Sequence, residues 1–147
     1  MLLVPFDGSA LAATALDRAR EFGAALDEGV LALVVVPDDA SFARERGWIG
    51  SAESFDPKRV GEELAADIED VAPESEVRVE TVEGTSSLAS TETDISRTIR
   101  QVAHEVGASV VFVGSENAGR VTAPPESVGT PVAEDPDYDV YIVRHAG

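Results

Sequence analysis

Asp7 and Gly114 are the two points in this chain where residue type and position together suggest chemistry. Asp7 ends the apolar run of residues 2–6 and begins the triplet Asp7-Gly8-Ser9. Gly114 and Ser115 end a second apolar run, residues 109–113. In an open α/β sheet, ligands bind where strand carboxyl ends meet helix N-termini. Both points are therefore expected at one crevice. A carboxylate there can meet a ligand or close a turn, since Asp-Gly is a common turn pair. Strand-end placement favours the ligand-facing role for Asp7.

Other chemistry is sparse. His104 has no second histidine at metal-ligand spacing, and His145 lies in the tail. His-Glu-x-x-His, Gly-x-Ser-x-Gly and Walker-type phosphate loops do not occur. The carboxylates are scattered, so no dedicated metal cluster is expected. With no cysteine there is neither a disulfide frame nor thiolate chemistry.

Charge narrows the partners. The 147 residues hold 28 acidic and 11 basic side chains, a net charge of −17, and Lys58 is the sole lysine. Phosphate backbones are bound by clustered Lys and Arg, so no nucleic acid partner is expected. Self-repulsion at this charge destabilises a compact state unless salt screens it. Together with the scarcity of lysine, this suggests a halophilic protein. No apolar run nears the ~20 residues of a membrane helix, and no signal peptide is evident. A soluble, cytoplasmic protein without membrane contact is expected.

The elements that must position Asp7 and Gly114 follow from periodicity. Residues 2–6 form a buried strand in which Pro5 predicts an irregularity. Ser9 caps a helix carrying Ala12, Ala15, Leu16, Ala19, Phe22 and Leu26 at helical spacing. Residues 29–36 form a second strand, stopped by Pro37. Residues 38–56 read as a loop with one helical turn, whose Phe42 and Trp48 either form a partner surface or, as is commoner, fold over the sheet edge and are buried. Pro57 opens a helix with Val60, Leu64, Ile68 and Val71 on one stripe. Val77, Val79 and Val82 mark a third strand.

Residues 84–92 lack bulky side chains and read as a flexible excursion. Thr93 or Asp94 then caps a helix with Ile95, Ile99, Val102, Ala103 and Val106, ended by Gly107. A fourth strand, a polar loop over 114–125, a short helix over 127–134 and a last strand from Asp139 to Arg144 complete the chain. The alternation β-α-β-α-β-α-β-α-β predicts one domain over residues 1–147 with a parallel sheet covered on both faces.

This ordered set resembles the universal stress protein family. The resemblance rests on the opening strand with Asp7-Gly8-Ser9, the strand at 29–36, the helix-to-strand stretch 95–115 and the closing stretch 127–144. It implies a three-layer α/β/α sandwich with a five-stranded parallel sheet of order 3-2-1-4-5, Rossmann-like and similar to the adenine nucleotide alpha hydrolases. It also implies a homodimer through the last strand, Asp139 to Arg144.

Many members of that family bind ATP. The resemblance assigns Asp7 to the nucleotide-facing aspartate, Val36 to the residue offering its backbone to adenine, and Gly114-Ser115 to the start of a glycine signature. The signature then departs, because Asn117 stands where its second glycine belongs. One register restarts at Gly119 and reaches Gly129-Thr130 after two extra residues. The other anchors Ser127 and the last strand without a gap and puts Glu126 at the phosphate-binding glycine. The second is preferred, since a strand and its preceding helix shift less readily than a loop. A glutamate there repels phosphate, and Pro124 and Pro125 remove two N–H donors.

The preferred reading is thus a non-enzymatic stress-response or regulatory protein with a degenerate nucleotide site, no cofactor and an unnamed regulatory partner. The alternative is an ATP binder, even a slow ATPase, using the shifted loop. A synthetase-type enzyme is disfavoured, because residues 7–10, Asp-Gly-Ser-Ala, are not a phosphate loop.

Overall fold

A computed structural model of the chain describes residues 1–83, 88–122 and 138–146. Strands β1 (Leu2–Pro5), β2 (Val30–Asp38), β3 (Glu76–Glu83), β4 (Val110–Gly114) and β5 (Asp139–Val143) form one sheet of order β3-β2-β1-β4-β5. Every neighbouring pair is parallel. Helices α1 (Ala10–Leu26), α2 (Ala40–Glu45), α3 (Pro57–Val71) and α4 (Leu88–Val106) cover the sheet.

The core has two halves, one on each side of the sheet. Leu2, Val4 and Phe6 of the first segment pack with Ala12, Leu16, Val60, Leu64 and Ile68 from α1 and α3. Leu3, Leu33 and Val35 point the other way and pack with Ile95, Ile99 and Val102 of α4. Strand residues alternate faces, so both sides of β1 and β2 must be apolar. That requirement explains the continuous apolar runs.

Ser9 caps α1 by accepting a hydrogen bond from the Ala12 N–H at 3.1 Å. Asp56 caps α3, with Pro57 at its first position, where no N–H is needed. At the end of α4 the Gly107 N–H bonds His104 O and the Ala108 N–H bonds Ala103 O. These are the paired bonds of a Schellman ending.

The two prolines expected to disturb strands instead lie at strand ends. The Leu2 and Phe6 N–H groups point to β2, donating to Gly29 O and Leu33 O, both at 2.8 Å. By alternation, position 5 faces β4. Pairing of β1 with β4 ends at Leu3↔Val111, so Pro5 withholds no bond there. Likewise position 37 of β2 faces β1, which stops opposite Leu33. Strand β2 therefore runs through Pro37 to Asp38 rather than stopping at it.

Three other expectations need correction. Helix α4 starts at Leu88, not at Thr93 or Asp94, so residues 88–92 belong to a helix rather than an excursion. Its first turns are held by tertiary contact: Thr91 is fully buried and Glu92 pairs with Arg120. Phe22 and Leu26 are exposed rather than core, although the Phe22 ring still meets Phe112 and Tyr141 edge-on, each at 5.3 Å. The polar loop after β4 begins as a 3-10 helix, Ser115–Arg120. The short helix expected over 127–134 lies outside the described residues.

The candidate crevice at the strand ends

The sheet order reverses between β1 and β4. That makes the carboxyl ends of these strands the switch point where open α/β sheets bind ligands. Asp7 stands there. Gly8 follows with φ +84, and a Cβ on it would come within 2.9 Å of Leu64. Only glycine suits a residue that must combine left-handed backbone with so close a helix.

The Asp7 carboxylate is already engaged. Its Oδ1 accepts the Ser9 N–H at 3.0 Å. Its Oδ2 accepts Nη1 of Arg46 at 2.8 Å and Nδ2 of Asn117 at 3.0 Å. Its backbone carbonyl accepts Nε1 of Trp48 at 2.8 Å. Burial opposes ionisation of Asp7, but the bonds from Ser9 and Asn117 and the charge of Arg46 outweigh it. The carboxyl is held below its ordinary value.

Helix α2 delivers two of these partners. Asp39 caps it by accepting the Phe42 N–H at 3.2 Å. At its other end, Gly47 with φ +75 donates to Arg44 O, and Trp48 donates to Ala43 O. This Schellman turn reverses the chain and aims Trp48 back at Asp7. The Arg46 guanidinium lies 4.9 Å from the Phe42 ring centre, a cation–π distance. Phe42 and Trp48 pack 5.6 Å apart. Phe42 is buried in the core half that holds Leu33 and Val35, and Trp48 reaches the carboxyl end of β1 at Asp7.

Arg120 completes the surroundings. Its side chain is 13 % exposed and bonds Glu92 Oε1 at 3.1 Å. Burial and the nearby charge of Arg46 push its guanidinium down from the usual value, against the pull of Glu92 and Asp7.

Two cavities flank Asp7. One, of about 420 Å³, is polar; Glu45, Glu63, Asp67 and Glu116 line it, with Arg46 its only cation among the described residues. The other, of about 30 Å³, is apolar and bounded by Pro5, Phe6, Leu33, Val35, Ile95 and Ile99, with Asn117 and Arg120 at its rim. No group of His, Asp or Glu suited to a metal occurs among the described residues.

The other sequence candidates fall as follows. Gly114 ends β4 with ordinary φ, and a Cβ there would lie 2.6 Å from Leu11 Cβ, so it is a packing position against α1. Ser115 is exposed. Gly119 lies in the 3-10 helix with open space about it. Val36 is fully buried, and by the alternation along β2 its carbonyl faces β3, where pairing continues to Asp38↔Glu83. Glu126, Ser127, Gly129 and Thr130 lie outside the described residues.

Sequence reasoning missed the partners of Asp7. Asn117 was visible only as a departure from a glycine pattern, and Arg46 not at all. The available signal was need: a strand-end carboxylate amid apolar side chains requires donors, and the chain has few cations to supply them.

Comparison with known proteins agrees with this architecture. A family model described as "Universal stress protein family" matches residues 1–144. Among solved structures, a universal stress protein in complex with cAMP shares 20% identity, with 99% of this chain and 97% of that one covered at a TM-score of 0.53. A family member from Burkholderia pseudomallei shares 20% identity over 98% and 95% of the two chains, at a TM-score of 0.56. A universal stress protein from Archaeoglobus fulgidus shares 16% identity over 97% of each chain, at a TM-score of 0.52. These likenesses are of fold. No curated protein matches significantly.

Proposed function

This chain belongs to the universal stress protein family, and we propose that it is a non-enzymatic stress-response or regulatory protein that does not take ATP in the usual way. One observation carries the reading. The Asp7 carboxylate, which the family resemblance assigns to the nucleotide, is already bonded by Arg46 and by Asn117, the residue standing in place of a glycine. A nucleotide would have to displace both.

Electrostatics supports the same reading. The larger cavity presents four further carboxylates, Glu45, Glu63, Asp67 and Glu116, and its one guanidinium is spent on Asp7. A triphosphate entering it meets like charge at short range, where screening is weak. Arg120, the other nearby cation, is held by Glu92. A solved relative binds cAMP, so the fold itself admits a nucleotide; the side chains of this crevice are what oppose one. Melting followed with millimolar ATP and magnesium in molar KCl tests the reading. No shift is expected, whereas a ligand at 100 times its Kd would add about 2.7 kcal/mol.

Two further properties belong to this proposal. The net charge of −17 with a single lysine suits a salt-rich cytoplasm. Among the described residues strand β5 pairs only with β4 and leaves Ile142 exposed and Val140 and Tyr141 half-buried, which suits a homodimer through residues 139–144. No helix among the described residues is long and apolar enough to cross a membrane.

A further inference from the structure

We propose that Asp7 is the catch of an internal latch: Arg46 and Trp48 fasten the arm over residues 39–56 across the switch-point crevice, and their release joins two separate cavities into one. It rests on the crevice placed above, but stands whether or not that crevice takes ATP.

The geometry carries the inference. Asp7 alone among the described residues lines both cavities. The wall between them is therefore built on that residue and on the groups bonded to it. Two of its bonds come from the arm, one to the carboxylate from Arg46 and one to the carbonyl from Trp48, both at 2.8 Å. Asn117 donates to the same carboxylate oxygen out of the 3-10 helix, a different element from the arm. The arm is fixed at both ends by helix caps, Asp39 and Asp56. Between them it has one short helix of six residues.

The ties from the arm to Asp7 are polar and stand beside an apolar anchor at Phe42 and Ala43. Trp48 is only half-buried, while Phe42 beside it is fully buried. A Cβ added at Gly47 would meet nothing within 4 Å. The end of the arm at residues 46–48, tied to Asp7 by two hydrogen bonds of which one is an ion pair, opens at lower free energy than the strands beneath it, while Phe42 and Ala43 stay anchored in the core. On opening, the acid-lined cleft and the apolar pocket behind it form a continuous site with an apolar floor and a polar mouth. In the closed state Asp7 and the groups bonded to it separate the apolar floor from the cleft.

Hydrogen exchange on the whole chain, without any nucleotide, tests the latch. In the native protein the amides of Arg46, Gly47 and Trp48 should exchange together, and at least tenfold faster than those of Leu33 and Val34. In Arg46→Met, which removes the guanidinium and keeps an unbranched apolar side chain, exchange of the arm should rise about tenfold more while β2 is unchanged. Quenching of Trp48, the sole tryptophan, by acrylamide should rise at least twofold in parallel. Asn117→Ala loosens Asp7 without touching the arm and should move both readouts in the same direction, by less. Arm amides as slow as the core in the native protein would overturn the latch. So would variants that leave the arm unchanged, or that speed exchange uniformly along the chain.

Discussion

Asn117 donates to Asp7 Oδ2 at 3.0 Å, joining the 3-10 helix after β4 to the turn after β1 across 110 positions of sequence. The bond ties the segment after β4 to the segment after β1 at the carboxyl ends of the strands. It also makes Asp7 a structural hub as well as a candidate ligand contact.

Replacing that hub has a definite pH signature. The folded-state value of Asp7 is depressed. Its contribution to stability is therefore complete above the ordinary aspartate range and is lost as pH falls through the folded value. Asp7→Asn should cost about 1–3 kcal/mol at neutral pH, because it leaves Arg46 without its charged partner. The gap to the native protein should close on acidification. Urea unfolding at a series of pH values checks this; a gap independent of pH would contradict it.

Gly114 makes a packing prediction. With only 2.6 Å between its added Cβ and that of Leu11, Gly114→Ala must push α1 off β4. Overpacking of this kind costs about 1–3 kcal/mol, read as a lower denaturation midpoint. An unchanged midpoint would show that the helix gives way freely.

Much of this fold was legible because burial writes itself into local pattern. Residues 29–36 had to be apolar on both faces, and the stripe Val60, Leu64, Ile68 lies between Asp56-Pro57 and Pro73, so β2 and α3 could be placed. The start of α4 was not legible. Its first turns carry small and polar residues, and they are helical through Thr91 burial and the Glu92–Arg120 pair, both tertiary effects. Helix α2, at six residues, is too short for periodicity to declare itself. At the crevice, Asp7 could be located from its strand end. The partners that decide its chemistry, Arg46 and Asn117, lie 39 and 110 positions away. No local rule connects such residues.

Salt should act on the whole molecule. A net charge of −17 repels itself over distances that molar salt shortens to about 3 Å. The melting temperature should therefore climb steeply as KCl rises from dilute to molar. A flat response would contradict the halophilic reading.

The outer edge of β5, unpaired among the described residues, sets the assembly prediction. Light scattering in multimolar KCl should give twice the chain mass, and Ile142→Glu should shift it toward the chain mass itself. A native monomer would contradict the dimer proposed through residues 139–144.

Titration calorimetry of the native protein with ATP and magnesium, in molar KCl, tests the central claim most directly. A crevice whose aspartate is bonded to Arg46 and Asn117 and whose walls carry Glu45, Glu63, Asp67 and Glu116 should give no binding heat up to millimolar ATP. A saturable heat with a stoichiometry near one per chain would contradict the account.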